Sequence, residues 1–477
     1  MAELHDLTAL EQAAAVRAGE VGALELVEHY LARIEQHGES LGAFVTVTPD
    51  LARAQAARHD GQVSRGELAG VPTAIKDLAM TAGTRTTFGS AAFADYVPSI
   101  DSDVVVLMRA AGLISLGKTT TSEFGLSLYS ETAVAPPARN PWAMDCTAGG
   151  SSGGAAAAVA AGLIPVAHGN DGGGSLRIPA SVCGVVGLKP SRGLVSGGPL
   201  GFGGFGLPTN GPIGRTVADS AALLDILAEP AAGEPYASPT RPERGLLDAA
   251  LRPDMYLPKG RPLRVGRYLT PLIDDVTPDP DVVAAWEDAS TYLTALGCEV
   301  FDAEAPLNSS GEEHFMVLWG VLALSPVPPE KEPLLLPLSR WLRERGRAVS
   351  PEQLLQALAA VQVQVRRHAR AATYDLLLSP TLARAQAPVG YFTAADDPAE
   401  DFDRQARFSP YCAAYNLSGQ PAVSLPWGTT VDGAPIGVML AAAPGADALL
   451  IAASAWLEAT HSWAQRHPAV WSASGSR

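Results

Sequence analysis

Cysteine, aromatic residues and charge are all scarce in this 477-residue chain, and each scarcity excludes something. The four cysteines, Cys146, Cys183, Cys298 and Cys412, lie far apart and form no C-x-x-C pair. That excludes a disulfide framework and a cysteine-based zinc site, and the four read as buried, reduced thiols of a cytoplasmic protein. Basic residues are the scarcer sign, 34 Lys and Arg against 50 Asp and Glu, a formal charge of −16. Nucleic acid and anionic membranes call for a basic surface, so neither is expected as a partner. No run approaches the ~20 apolar residues of a membrane-spanning helix. The start, Met1-Ala-Glu-Leu-His-Asp, lacks the basic segment and apolar run of a signal peptide.

What is present is a large apolar share, 47% of the residues, enough to bury a sizeable core without staples. Apolar spacing of three and four predicts helices over Leu7–Arg17 and Ala23–Gln36, with Leu26, Tyr30 and Ile34 on one face. Beyond them, β-rich runs at Ala43–Val47, Val71–Ile75, Leu113–Leu116 and Leu163–Ala167 alternate with helical segments such as Val104–Ala111 and Ala155–Gly162. This alternation predicts an α/β fold with a mixed central sheet covered by helices. Glu229–Pro262 reads as a linker rich in Pro, Gly and charge, and 263–372 as a helical excursion or cap. Strands return at Tyr374–Pro380, Ala422–Leu425 and Ile436–Ala441, before a last helix at Ala448–Thr460. The expected organisation is a single domain over 1–477, its core at about 23–262 and 373–465.

Two glycine-dense loops stand out, Gly149-Gly-Ser151-Ser152-Gly-Gly and Asn170-Asp171-Gly172-Gly173-Gly174-Ser175, joined by an alanine-rich helix. Glycine lets a ligand approach the backbone closely and lets N–H groups converge, as an oxyanion hole requires. Such loops are usually turns, but two of them carrying serines 24 residues apart suggest a nucleophile. Serine needs a base. His168 sits in an apolar run and reads as a satisfied core histidine. Lys76, ending the run Val71–Ile75, is the better candidate, because burial disfavours an ammonium and leaves an amine able to accept a proton. A Lys76–Asp77 surface turn fits the local residues equally well.

The combination resembles the amidase signature family, whose pattern joins a Gly-Gly-Ser-Ser-Gly-Gly loop, a Gly-Gly-Ser-x-Arg-x-Pro-Ala loop and an upstream Gly-Val-Pro-x-x-x-Lys-Asp. All three elements are present in order, with Lys76 75 residues before Ser151. Further landmarks are Gly117-Lys118-Thr119, Asn140-Pro141-Trp142, Gly211-Pro212-Ile213 and Asn416-Leu-Ser-Gly419, so the likeness runs from about Ala23 to Glu458. The resemblance implies an amidohydrolase with Ser175 as nucleophile, Ser151 as proton relay on a cis peptide after Gly150, and Lys76 as base. It also implies an oxyanion hole from the N–H groups of Gly172, Gly173, Gly174 and Ser175. Ser152, Asp171 and Arg177 would support these loops, and no metal or organic cofactor is needed. The segment Glu123–Ser130, with Gly125, Leu126 and Tyr129, should line the acyl pocket, and Pro306–Leu338 should supply the cap. Asn170, where many members carry threonine, makes the loop most similar to hydrolases of 6-aminohexanoate cyclic dimers.

Rival readings are weaker. Gly149-Gly-Ser151-Ser-Gly153 matches the G-x-S-x-G elbow of α/β-hydrolases but leaves Lys76 and the second serine loop unexplained. Gly201–Gly206 matches G-x-G-x-x-G, yet Leu207-Pro-Thr-Asn-Gly-Pro cannot open a helix, so it reads as a loop at the mouth of the site. The alternative function is a partner-dependent amidotransferase A-type subunit, against which Ile178 before Pro179 argues mildly, since that subunit usually has Gln there. Phe315, Leu318, Trp319 and Leu322 share a helical face and read as cap packing. The apolar residues of cap and pocket point to a small-molecule amide with a hydrophobic acyl group. A homodimer is compatible with all of this.

Overall fold

The computed structural model describes residues 3–60, 66–201, 204–273 and 275–472. Its strands are β1 (Phe44–Val47), β2 (Pro72–Lys76), β3 (Ile114–Thr119), β4 (Arg139–Asn140), β5 (Ala143–Thr147), β6 (Val166–Asp171) and β7 (Val186–Lys189). They continue with β8 (Thr209–Gly214), β9 (Arg264–Arg267), β10 (Glu299–Asp302), β11 (Leu376–Pro380), β12 (Ala422–Thr429) and β13 (Pro435–Ala442). Eleven form one sheet in the order β1-β3-β2-β6-β8-β7-β12-β13-β11-β9-β10, and β4 and β5 pair separately. The sheet is mixed: β3-β2-β6 and β11-β9-β10 are parallel runs, and every pairing between β6 and β11 is antiparallel.

Side chains alternate across this sheet with a period of two, so each strand feeds two cores. Ile75, Val423, Val438 and Leu440 enter one apolar cluster. Their neighbours Ala74, Ala422, Met439 and Ala441 enter the other. Because both faces are covered, β2 is buried at all five positions, and its sequence reads as a short continuous run rather than an alternation. The helix Gly153–Ala160 is buried throughout, and only small residues fit there. A Cβ on Gly154 would stand 2.5 Å from the Ala43 carbonyl oxygen and the Thr120 nitrogen.

The expected helices are present at Ala9–Ala18 and Ala23–Leu41. The first carries a capping box of Thr8 and Glu11. The linker 229–262 is mostly irregular, with a short α-helix at Leu247–Leu251 and a 3-10 turn at Pro253–Met255. The excursion requires a correction. Residues 264–302 contribute β9, the helix Pro280–Ala295 and β10, and both strands belong to the main sheet. Helical structure without strands is confined to Ser310–Ala371, in helices Ser310–Leu322, Pro337–Ala348 and Pro351–Ala371. Short strands such as Arg-Val-Gly-Arg at 264–267 have too little alternation to be separated from helix by periodicity. A third apolar cluster, including Leu126, Leu207, Trp319, Leu338 and Leu342, glues these helices to the core.

Candidate active site

Parallel pairing of β2 with β6, through Thr73 with Val166 and Ile75 with His168, sets the ends of the two strands side by side. Lys76 is the last residue of β2, and Asn170 and Asp171 are the last of β6. In parallel sheets the carboxyl ends of strands are where sites assemble. The two glycine-dense loops meet there. Ser152 opens the helix Gly153–Ala160, donating its N–H to the Ser175 carbonyl at 3.2 Å and its hydroxyl to the Asn170 carbonyl at 3.1 Å. Gly150–Ser151 is a cis peptide, as expected.

Lys76 is fully buried, which eliminates the surface-turn reading. Its Nζ lies 2.8 Å from Ser151 Oγ, 2.6 Å from Asn170 Oδ1 and 3.3 Å from the Asn170 carbonyl. Burial drives its pKa well below the ordinary lysine value, against the opposing pull of Asp171. His168 is buried too, its Nε2 3.1 Å from the Asn210 amide oxygen, and desolvation pushes it down to about 3. It is a core histidine as expected but only half satisfied, since its Nδ1 has no partner among the described residues. Asp77 faces away from Lys76, taking the Thr87 N–H at 2.9 Å.

Asp171 is the hub of the second loop. It accepts from the N–H groups of Gly174 and Leu176 at 2.7 and 3.1 Å, and from Arg177 Nε and Nη2 at 2.9 and 3.0 Å. Burial alone would raise its carboxyl, but the Arg177 guanidinium holds it well below the usual carboxylate range. Arg177 also reaches the Cys412 carbonyl at 2.9 Å and Asn416 Oδ1 at 2.7 Å. Asn416 returns two bonds to Asp171, at its carbonyl and carboxylate, each 2.9 Å.

One expected site residue changes part. The Gly174 N–H is spent on Asp171, so it is a strut of the loop and not an oxyanion donor. Gly174 holds φ near +135°, where a Cβ would meet Cys412 and Ile178 at 2.6 Å. Among the described residues no acceptor is seen for the N–H groups of Gly172, Gly173 or Ser175. Ser175 is accessible from a cleft enclosing about 730 Å³, its open mouth included, lined by Gly125, Leu126, Leu128, Gly173, Phe315 and Trp319 among others. Tyr129 is a correction: it does not line this cleft, but stacks on Phe392 and donates its hydroxyl to Asp401 at 2.7 Å. A second cleft lies beside Ser151, Asn170 and Gly172, walled by Leu78, Pro208, Thr209 and Leu322. Gly201 and Gly204 also line it, in keeping with a loop at the mouth, while Phe202 and Gly203 lie outside the described residues. Trp319 and Leu126 border both clefts.

Phe315 and Trp319, read as packing, are also site residues. Their rings stack on each other and stand 3.2 Å from where a Cβ of Gly173 or Gly172 would be. Trp319 Nε1 bonds the Leu126 carbonyl at 3.2 Å, pinning the helix to the cleft wall.

The sequence and fold of nearly the whole chain are matched by known proteins. A model of the amidase family matches residues 25–451. The chain belongs to the amidase family. It is 35% identical to the 6-aminohexanoate-cyclic-dimer hydrolase of Paenarthrobacter ureafaciens, over 96% of both chains. It is 34% identical to an acylamidase of Rhodococcus erythropolis over 98% of both. The solved structure of a 6-aminohexanoate cyclic dimer hydrolase superposes with a TM-score of 0.90 at 32% identity, covering 98% of this chain and all of the other. A bacterial aryl acylamidase of the amidase signature family superposes at 0.84, covering 99% of this chain. The protein is therefore an amidohydrolase with the amidase signature fold.

Proposed function

We propose that this amidase hydrolyses neutral amides of hydrophobic acids through an acyl-enzyme on Ser175, with Ser151 as proton relay and Lys76 as base. The observation that carries it is the 2.8 Å contact of a fully buried Lys76 with Ser151, beside a cleft that opens on Ser175. A neutral Lys76 accepts the Ser151 proton, Ser151 takes that of Ser175, and Ser175 Oγ bonds to the amide carbon. The carbonyl electrons move onto oxygen, which faces the N–H groups of Gly172, Gly173 and Ser175. When the tetrahedral adduct collapses, the C–N bond breaks and the amine leaves with the proton from Lys76, returned through Ser151. Water then adds to the acyl carbon with the same relay as base, and the acid leaves as Ser175 is reprotonated.

The acyl group fits the apolar cleft and the amine the cleft beside Ser151 and Asn170. Neither wall presents a lysine or arginine to a carboxylate among the described residues. That favours substrates such as fatty anilides or cyclic amides over amides bearing a carboxylate. Esters should react as well, because the acyl-enzyme does not require a nitrogen leaving group. The partner-dependent amidotransferase alternative gains no support from the relatives or the clefts.

The test is a hydrolysis panel on the isolated chain: hexanoyl and glutaryl p-nitroanilides, and linear and cyclic 6-aminohexanoate dimers, with Ser175→Ala as control. Turnover of the hexanoyl amide at least roughly tenfold above the glutaryl one, abolished in the variant, is expected. A preference for the charged acyl group, or turnover surviving in Ser175→Ala, would refute the reading.

A further inference from the structure

Three oxygens surround the Lys76 amine, and Asn170 supplies two of them, Oδ1 at 2.6 Å and the backbone carbonyl at 3.3 Å. The third is Ser151 Oγ at 2.8 Å. Carbonyl oxygens only accept, whereas a hydroxyl both donates and accepts. A neutral amine has two N–H groups and one lone pair. With both N–H groups taken by Asn170, the lone pair points at Ser151, the one neighbour with a proton to give. Once that proton arrives, the ammonium finds three acceptors already in place. The Asn170 carbonyl is itself held by the Ser152 hydroxyl, and the pairing of Asn170 with Asn210 fixes the strand. The carboxamide does this without charge, and Lys76 has no ion-pair partner among the described residues.

We propose that Asn170 is a positioning residue of this amidase, its two oxygens chelating the Lys76 amine so that its lone pair faces Ser151. The proposal rests on the reading of Lys76 as the base. It makes Asn170 more than a marker of similarity to cyclic-dimer hydrolases: it sets how readily the base takes up and returns the proton.

The experiment measures pH profiles of kcat/KM on hexanoyl p-nitroanilide and p-nitrophenyl hexanoate for the full chain and for Asn170→Asp and Asn170→Ala. Ser175→Ala and Lys76→Ala are controls. Asn170→Asp keeps the shape but sets an anion against the amine, favouring the ammonium. Its acid limb should move up by roughly one pH unit or more, with activity recovering at higher pH and KM within about threefold. Asn170→Ala should lower kcat on the anilide roughly ten- to a hundredfold. The ester should lose less, because nitrophenolate departs without a proton. A structural role alone would move neither the limb nor the amide-to-ester ratio. Should Asn170→Ala fail to fold, the isosteric Asn170→Asp supplies the limb. An unmoved limb in active Asn170→Asp, or wild-type kcat in Asn170→Ala, overturns the proposal while leaving Ser175 and Lys76 in their roles. Turnover surviving in either control instead overturns the underlying reading, and this proposal with it.

Discussion

Asp171 and Arg177 show how a single residue pair sustains the site. Both are fully buried, joined through two contacts, and their remaining bonds run to Gly174, Leu176, Asn416, the Cys412 carbonyl and the Met439 sulfur. A buried pair is costly to form but far costlier to break, since removing one partner strands the other charge. Asp171→Ala should therefore destabilise the protein by about 3–5 kcal/mol and abolish hydrolysis, measured by denaturant unfolding and the anilide assay. Arg177→Lys should also fail, because an ammonium cannot reproduce the fork that spans carboxylate, carbonyl and carboxamide. A stable, active Asp171→Ala would mean the loop is held by its glycines and Asn416 instead. The sequence indicated Asp171 and Arg177 through their place in the motif. It marked Asn416 only as part of a later landmark, and its bond to Arg177, 239 residues earlier, appears only when the chain folds back.

At the scale of elements, the helix Ser310–Leu322 does two jobs. Leu318 faces the cluster beneath the excursion, while Phe315 stands over Gly173 and the cleft. Phe315→Ala should raise KM for hexanoyl anilide roughly tenfold and leave kcat within about threefold, since it removes binding surface rather than transition-state contacts. An equal loss in kcat would place the ring in the chemistry. A second case lies where two helices meet. Glu458, in Asp447–His461, accepts the N–H of Val217 at the start of Val217–Leu227, at 3.0 Å. Burial, aided by nearby Asp219, raises its carboxyl to about 7. The folded state thus prefers the protonated form. Its stabilisation is complete below the unfolded value of about 4.5 and is lost as pH rises through about 7. Glu458→Gln, which keeps the acceptor and removes the charge, should flatten that decline in melting temperature between pH 5 and 8. An unchanged slope would show that Glu458 titrates normally.

For the whole molecule, the charge of −16 predicts weak binding to anionic polymers and membranes. The full chain should pass through heparin and fail to sediment with phosphatidylserine vesicles even at about 50 mM salt, where screening is weak. Retention would reveal a basic face that the net charge conceals. No helix among the described residues is long and apolar enough to cross a membrane. The excursion is also settled at this scale. Its helices dock through the Leu336 N–H on Glu123 and the Trp319 indole on Leu126, contacts spanning about two hundred residues that no local pattern announces.

Local chemistry in the sequence determined much of this protein. The alternation of strand-like and helical runs made the α/β class legible, and the glycine loops drew attention to Ser151 and Ser175. Lys76 was singled out from a surface turn only by the resemblance of the spaced motifs to a family. Tertiary structure alone decided which donors remain free and what covers them. It spent the Gly174 N–H on Asp171, turned Tyr129 toward Asp401, drew β9 and β10 into the main sheet, and set Asn170 against Lys76. The reason is physical. Conformational preference is written residue by residue, but a hydrogen bond goes to whichever partner the packed chain brings within 3 Å, and sequence spacing carries no record of that competition.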